Sequence, residues 1–288
     1  MNRKILIIII FLFIFIFYYD IAVNAEIGGS FPDFIWGSRY FGSSLTGTFL
    51  NNSFSILYNP SFSYLADDNI SIEQKNIFSM KYTGIFLTKK NYGSYFILNQ
   101  SPEDLNFNYN TYRWANIYAL NYKNLTFGVN GELLFLAVTD IDGQDDYNAK
   151  GYNIDLGFDY RKEISSKLVD QYFFSLTLKN LINELIYSTS TRELVALKKY
   201  RLSFGIKNYN LTTSINLEKT KNGNLKYSTG LDYIYTDFSE NLRKNINKLI
   251  FDLGYNSNQS ISAGFGVEFR GYRFNYGYKF NDEDIEKS

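Results

Sequence analysis

The stretch SISAGFGVEFRGYRFNYGYKF, Ser260 to Phe280, shows the pattern that decides the fold. Its first half alternates strictly between apolar residues and small or polar ones, and Arg270-Gly271 then supplies a tight turn. Period-two alternation over about ten residues predicts a β-hairpin with one apolar face. This hairpin fits either a soluble sandwich or a membrane barrel. In its returning half the apolar positions are all aromatic: Tyr272, Phe274, Tyr276, Tyr278 and Phe280.

The same alternation recurs along the chain from Ile70 onward. It is clearest in Gly151–Arg161, whose apolar face begins with Tyr152 and ends with Tyr160. Aromatic residues at both ends of an apolar face are typical of a lipid-facing strand. Residues 69–280 are therefore predicted to form an all-β fold, a transmembrane antiparallel β-barrel of about 14 strands. Other predicted strands are Tyr82–Thr88, Ser94–Asn99, Thr111–Tyr122, Leu125–Ala137, Tyr172–Lys179, Arg201–Lys207, Leu211–Glu218, Leu225–Tyr235 and Leu249–Tyr255.

Loop lengths give a test of the strand order, because outer-membrane barrels have short periplasmic turns and longer loops outside. Counting strands back from Phe280, with both chain ends in the periplasm, places the loop Asp237–Ile246 outside. The long segments Gln100–Asn110 and Val138–Lys150 lie on that same side only if one more strand exists between them and this loop.

Glu184–Ser190 is the stretch predicted to supply this additional strand. With it, the short turns at Asn91 and Lys123 lie on the periplasmic side, as a closed barrel requires. The prediction of a consistent barrel therefore depends on one poorly patterned strand.

Residues 1–25 are predicted to be a secretory signal peptide. Arg3 and Lys4 provide its charged start, Ile5–Tyr19 its apolar run, and Val23-Asn24-Ala25 its cleavage site. An uncleaved membrane anchor is the alternative, although the apolar run is short for a spanning helix. Together with the strand pattern, this leader predicts a location in the outer membrane of a diderm bacterium.

Residues 26–68 do not alternate, and their glycines together with Asn59-Pro60-Ser61 predict irregular backbone with a short helix. Inside a barrel such a segment would be a plug, because irregular backbone at membrane depth is tolerated where protein or water surrounds it. In a soluble protein the same residues would be a loose N-terminal extension. Residues 281–288 form a polar C-terminal tail.

Composition narrows the function classes. The chain has no cysteine and no histidine, and its formal net charge is zero. A disulfide framework is therefore excluded, and the usual general base of hydrolases is missing. Zero net charge gives no reason to expect nucleic acid as a partner. With no phosphate loop, metal-ligand cluster or nucleophile with a base in the sequence, we predict that the protein is not an enzyme and needs no cofactor.

Several motifs resemble the PorV/PorQ-like family of outer-membrane proteins within the FadL-type barrel superfamily, which has spirochaete relatives. Ser38–Leu65 resembles the N-terminal hatch of that family, with Asn59-Pro60-Ser61 where the family has Asn-Pro-Ala. Ser175–Leu181 is similar to a mid-chain strand that ends in Asn-Leu-Gly, although Ile182 replaces the glycine. Ser262–Gly266 with Phe274–Tyr276 resembles the closing hairpin.

The resemblance implies passive uptake of small hydrophobic molecules, such as long-chain fatty acids, across the outer membrane. It also implies an alternative, an accessory component of a protein secretion system that holds exported proteins at the membrane. Expected partners are thus outer-membrane lipid and either a hydrophobic small molecule or a secretion-system protein. A third possibility is an unselective porin, which the predicted plug disfavours.

Two groups of polar residues are candidates for a site. Asp140, Asp142, Asp145 and Asp146 form an oxygen-rich loop that could hold calcium, but their spacing does not match the usual calcium loop, and exposed loops are often acidic. The second group is predicted to face the lumen, where it could line a permeation path or merely cross-pair inside the barrel. Its members are Arg113, Glu132, Asp155, Asp159 and Lys179.

Overall fold

The computed structural model describes residues 53–77, 80–101, 107–140, 147–164, 166, 169–188, 192–193, 197–221, 223–238, 246–257, 260–270 and 272–280. The predicted signal peptide 1–25, residues 26–52 of the predicted plug and the tail 281–288 lie outside these residues. So do the acidic loop residues Asp142, Asp145 and Asp146, and the calcium alternative therefore stays untested. Within the described ranges, no helix is both long enough and apolar enough to cross a membrane.

The described chain is almost entirely β-structure, as the alternation predicts. Two short helical elements come first, the 3₁₀ helix η1 (Ser53–Leu57) and the α-helix α1 (Phe62–Leu65). The strands are β1 (Asn69–Ile77), β2 (Met80–Lys89), β3 (Tyr92–Gln100), β4 (Phe107–Tyr122), β5 (Leu125–Asp140), β6 (Tyr147–Glu163), β7 (Gln171–Tyr187), β8 (Arg192–Glu193), β9 (Lys199–Asn208), β10 (Leu211–Thr220), β11 (Leu225–Tyr235), β12 (Ile246–Asn256), β13 (Ile261–Phe269) and β14 (Tyr272–Phe280).

Thirteen of these strands form one antiparallel sheet in which every neighbour in space follows in the chain, apart from β8. The two-residue strand β8 pairs only with the last part of β7, whereas the first part of β7, from Gln171 to Lys179, pairs with β9. Among the described residues no pairing joins β1 to β14, so the sheet is open between them. The predicted all-β antiparallel fold is confirmed, and its closure into a barrel stays a prediction.

The additional strand predicted at Glu184–Ser190 is wrong. Glu184 to Tyr187 belong to β7, which is 17 residues long and continues past its bulge to Tyr187. Consequently the connection 236–245 lies at the same end of the sheet as the two-residue turns after Lys89 and Tyr122, opposite to segments 101–106 and 141–146. The prediction that the loop Asp237–Ile246 lies on the same side as Gln100–Asn110 and Val138–Lys150 is therefore wrong. The start of β1 and the end of β14 also lie at opposite ends of the sheet, not at one end as the strand count assumed.

The two ends of the sheet differ in their connections. At the end that we call the turn end, two-residue turns follow β2, β4, β9 and β13, and their first residues have positive φ: Lys90, Lys123, Tyr209 and Arg270. Positive φ at this position is a feature of the hairpin turns that match strand twist. The end with segments 101–106, 141–146 and 188–198 is called the loop end.

The faces of the sheet have inverted polarity compared with a soluble protein. The face that contacts residues 53–66 is called the inner face, and it buries polar and charged side chains such as Glu132 and Asp252. The opposite, outer face exposes large apolar side chains: Tyr118 and Leu120 on β4 are both 55% exposed. Strand β11 shows the contrast within one element, because Leu231 and Tyr233 are exposed whereas Asp232 between them is buried.

Strands β4 to β7 contain 16 or 17 residues, against 9 to 11 for the other long strands, and they extend further at the loop end. There the polarity reverses. On β6, Asn148 and Lys150 are exposed on the outer face, while Ala149 between them is buried on the inner face. With Ala149, the inner face buries an apolar group of Leu134, Leu136, Val138 and Leu185.

Candidate functional site

Residues Ser53–Ala66, called the N-terminal segment, lie on the inner face from β1 to β9. At one end the Ser53 hydroxyl donates a 2.5 Å hydrogen bond to the Ser71 hydroxyl on β1. The Phe54 ring lies 4.7 Å from the Phe86 ring, and Ile56 joins the apolar cluster of β2, β3 and β4. The Arg201 guanidinium of β9 lies 5.7 Å from the Tyr58 ring. The segment therefore covers much of the inner face.

Asn59-Pro60-Ser61 forms a tight turn at the centre of this segment. The Phe62 amide donates to the Asn59 carbonyl over 3.0 Å, with proline at the favoured second position of the turn. The Asn59 Oδ1 atom accepts from both the amide and the hydroxyl of Ser61, at 3.0 and 2.8 Å. Asn59 Nδ2 donates to the Phe158 carbonyl over 3.1 Å, which fixes the turn to β6. All the polar groups of the Asn59 side chain are thus used.

Two glycines on neighbouring strands make room for the turn. Gly128 of β5 and Gly157 of β6 stand directly opposite each other. A Cβ atom at Gly128 would overlap the backbone of Pro60 and Ser61, and one at Gly157 would overlap the Asn59 side chain and lie 2.8 Å from Pro60 Cδ. The absence of side chains at this pair allows the backbone of the segment to lie against the sheet.

Towards the loop end of this glycine pair, the inner face carries a buried polar network. Glu132 Oε1 accepts from Arg113 Nε over 2.7 Å and from the Tyr95 hydroxyl over 2.9 Å. The Asn153 amide donates to Glu132 Oε2 and to Asp155 Oδ1, at 3.2 and 3.1 Å. The network thus connects β3, β4, β5 and β6 through one side chain after another.

A bulge in β7 completes the network. Opposite Asp155 the register between β6 and β7 shifts, and Asn180 takes a φ of 56°. This conformation lets the Asn180 amide donate to Asp155 Oδ1 over 2.7 Å, while Asn130 Nδ2 donates to Asp155 Oδ2 over 2.9 Å. The Lys179 ammonium also attracts the Asp155 carboxylate. Two cations and two carboxylates therefore balance within the network.

Two amide oxygens in the network could accept hydrogen bonds from a small molecule. Within the described part of the chain, neither Asn130 Oδ1 nor Asn153 Oδ1 has a hydrogen-bond donor. Both side chains turn their nitrogen atoms to carboxylates, which leaves these oxygens to water or to a polar ligand group. The network can therefore hold a donor but offers no apolar surface.

On the other side of the glycine pair, Asp159 and Arg161 form a second charged group. Arg161 Nε lies 2.9 Å from Asp159 Oδ2, and its guanidinium lies 5.7 Å from the Phe62 ring of α1. Beside them a cavity of about 350 Å³ opens at the turn end between Leu65, the β4–β5 turn and the ends of β6 and β7. Its lining is mainly amide and charged groups, which suits a polar group better than an acyl chain.

Four layers therefore follow one another along the inner face of β5 and β6. From the loop end these are the apolar group around Leu136, the polar network around Glu132, the glycine pair under Pro60, and the Asp159–Arg161 pair beside the cavity. An object that moves along this face would meet an apolar surface first, then fixed charges, then the N-terminal segment.

Four of the five residues predicted to face the lumen are buried on or beside this inner face, and the side chain of the fifth, Arg113, is 13% exposed. Arg113, Glu132, Asp155 and Lys179 belong to the network, whereas Asp159 lies in the separate pair. The sequence analysis missed Tyr95, Asn130, Asn153 and the glycine pair. The glycines share the polar face of a predicted strand, but their opposition depends on a register that no local signal gives.

Comparison of the chain with protein-family models and with curated proteins finds no match. The resemblance to PorV/PorQ-like proteins thus rests on the motifs themselves. Of these, Asn59-Pro60-Ser61 makes a defined set of contacts with itself and with β6.

Proposed function

We propose that this protein is a β-barrel of the bacterial outer membrane that admits small hydrophobic molecules, with long-chain fatty acids as the representative class. In this proposal the sheet closes into a barrel, the inner face becomes the lumen wall, and the N-terminal segment is the plug. Passive movement through such a lumen requires no catalytic residue and no cofactor.

The observation that carries the membrane part is the inverted polarity of the two faces. In water, a sheet that exposes Tyr118, Leu120, Leu231 and Leu253 and buries Glu132 would be unfavourable on both faces. In lipid the same exposed face is favourable, and the polar face is the one expected towards a lumen. Tyr227 and Tyr235 near the ends of β11 fit the two membrane interfaces.

The layers of the inner face support a hydrophobic rather than a polar substrate. At the loop end the inner face is apolar around Leu134, Leu136 and Leu185, which pack against one another, and an environment of this composition suits an acyl chain better than a polar group. The polar network and the plug then block a continuous open path for ions. An unselective porin would need that open path, so the arrangement of layers disfavours it.

The experiment asks whether the plug must move for uptake. The Ser53 and Ser71 hydroxyl oxygens are 2.5 Å apart, so Ser53→Cys with Ser71→Cys can form a disulfide with little rearrangement. The sequence has no cysteine of its own, so no competing disulfide can form. The new bond would hold the Ser53 end of the N-terminal segment against β1, and the other end of the segment already continues into β1. Cells of a diderm host that lacks its own fatty-acid porin provide the assay, with radiolabelled long-chain fatty acid as the probe.

Uptake by these cells is expected to rise when the unaltered chain is present, to fall to the host background in the oxidised double variant, and to recover after reduction. The single variants Ser53→Cys and Ser71→Cys, treated with the same oxidant, are the controls and should retain uptake. No uptake by the unaltered chain, despite its presence in the outer membrane, would contradict the transport proposal.

A second function, a non-conducting accessory of a secretion system, is favoured by one specific observation. The plug is held by the hydrogen bond from Asn59 to Phe158 and by close backbone contact at Gly128 and Gly157, as a permanently rigid wall would be. In that case uptake stays at background, and chemical crosslinking in the native membrane should recover a stoichiometric protein partner without fatty acid.

A further inference from the structure

The strands at the two edges of the sheet run in the same direction. Within the described residues, thirteen strands follow one another in antiparallel order from β1 to β14, with β8 outside this path. Since an odd number of alternating strands begins and ends with the same direction, both β1 and β14 start at the turn end. Most bacterial outer-membrane barrels have an even number of strands and close with an antiparallel pair.

We propose that the sheet closes through a parallel seam between β1 and β14. This inference rests on the proposed function, because only in a membrane must the backbone groups at both edges find a partner within the protein. A row of unsatisfied amide and carbonyl groups facing lipid would be strongly unfavourable, because lipid offers these groups no hydrogen-bond partner. Parallel pairing is only slightly weaker per residue than antiparallel pairing, so it satisfies these groups at little cost.

The side chains of both edges fit such a seam. Ile70 and Ile72 on the outer face of β1 are 67% and 72% exposed, and Phe274 and Tyr276 of β14 are 68% and 67% exposed. Ile85, on the outer face of the next strand β2, is only 44% exposed, because β2 has a neighbouring strand on both sides. Joining the two edges would cover the apolar residues of each strand with those of the other.

The two strands also match in length, since each contains nine residues. The outer positions of β14 are aromatic from Tyr272 to Tyr278, whereas on β1 only Ile70 and Ile72 are apolar and Gln74 after them is polar. A parallel seam that aligns the two outer faces would bring Ile70 and Ile72 beside aromatic residues of β14. We propose that β1 pairs with β14 of the same chain rather than with a second copy of the chain. The test below distinguishes these two outcomes.

Cysteine pairs can test the direction of the seam whatever its register, because the chain contains no cysteine and several partner positions can be compared. Ile70→Cys and Ile72→Cys are each combined with Tyr272→Cys, Phe274→Cys, Tyr276→Cys or Tyr278→Cys in the full chain. Oxidation is carried out in the native outer membrane, and linked peptides are identified by mass spectrometry. If the seam is parallel, the best partner of Ile72 lies two residues later in β14 than the best partner of Ile70. An antiparallel pairing would reverse this shift.

Two control pairs calibrate the yield. Ile72 and Ile85 are direct partners in the β1–β2 register, so Ile72→Cys with Ile85→Cys should link efficiently and report correct folding. Leu231 lies on β11, far along the sheet, and Ile72→Cys with Leu231→Cys should not link within one chain. The best seam pair is expected to exceed this second control by about tenfold in monomeric crosslinked product, as the spacing of neighbouring strands predicts.

The outcomes separate this inference from the proposed function. Crosslinks only between two chains, or a seam yield no higher than that of the Leu231 pair, overturn the parallel seam while the protein remains in the membrane fraction. The reversed shift also overturns it. A chain that is absent from the outer-membrane fraction contradicts the proposed function instead. The Ile72–Ile85 pair would reveal whether a cysteine at position 72 prevents folding. In that case the series with Ile70→Cys reports the crosslinking yield at the seam, with Ile70→Cys and Leu87→Cys as its control pair. The direction of the seam is then read from Ser71→Cys and Glu73→Cys, each combined with Asn275→Cys or Gly277→Cys.

Discussion

At the scale of single residues, the most specific feature is the close approach of a proline turn to a glycine pair. Nothing in the local sequence of Gly128 or Gly157 shows that they face each other, because their opposition follows from the register of β5 against β6. The Asn-Pro-Ser turn itself could be predicted, since asparagine and proline favour the first two positions of such a turn. Sequence therefore indicated the turn but could not indicate the surface on which it lies.

A methyl group at Gly157 should disturb this contact. Gly157→Ala places its Cβ against the Asn59 side chain and 2.8 Å from Pro60 Cδ, so the segment must shift. We expect the free energy of unfolding to fall by about 1–3 kcal/mol, as for other overpacked sites. Urea titration of the protein in lipid vesicles measures this change. Gly131→Ala is the matched control, because no heavy atom lies within 4 Å of its added Cβ, and an equal effect there would refute the contact.

The buried ion pair of the polar network gives a second prediction at this scale. Glu132→Ala removes the buried carboxylate that accepts hydrogen bonds from both Arg113 Nε and the Tyr95 hydroxyl. Removing one partner of a buried pair typically lowers the free energy of unfolding by about 3–5 kcal/mol. The comparison variant is Glu268→Ala, whose partner Lys248 is 40% exposed and 3.5 Å away. There the loss should stay below about 1 kcal/mol. Similar losses in both variants, by the same urea titration, would show that the network contributes nothing special.

At the scale of elements, alternation identified the strands where apolar residues lie on the outer face along the whole strand. It failed in the second half of β7, because there the polarity of the two faces reverses. Glu184 lies on the outer face, where its carboxylate accepts from the Tyr152 hydroxyl over 3.1 Å, while Leu185 is buried on the inner face. The bulge at Asn180 interrupts the pattern just before this reversal. Both features together resemble the end of one strand and the start of another.

The outer face of β11 allows a direct test of its surroundings. Leu231 is 42% exposed at the middle of this strand. In a soluble protein Leu231→Arg would change stability little, whereas at the centre of a bilayer an arginine costs about 2–4 kcal/mol. We expect the larger loss, measured by refolding into vesicles over a range of urea concentrations. Asn148→Arg, also on the outer face but beyond the apolar band of β6, should be tolerated. Tolerance of both arginines would argue against a lipid-facing surface.

At the scale of the whole molecule, the direction of the sheet in the membrane connects the fold to the proposed uptake. The Asp67 carbonyl accepts from the Thr88 hydroxyl over 2.6 Å, and Asp68 Oδ1 accepts from the Lys90 amide over 2.8 Å. The N-terminal segment thus enters the sheet at the turn end. A chain secreted with its N-terminus first reaches the periplasm before the membrane, and short turns also favour the periplasmic side.

We therefore predict that the turn end faces the periplasm and that the apolar group near the loop end faces the outside, where a hydrophobic molecule would arrive. Asn124 in the β4–β5 turn and Asn148 at the loop end are both exposed asparagines, so Asn124→Cys and Asn148→Cys form a matched pair. A polyethylene-glycol maleimide too large to cross the outer membrane should label only Asn148→Cys in intact cells and both variants after permeabilisation. Labelling of Asn124→Cys alone in intact cells would reverse the orientation. The polar cavity would then be the outward entrance, which would favour a polar rather than a hydrophobic molecule as the first one bound.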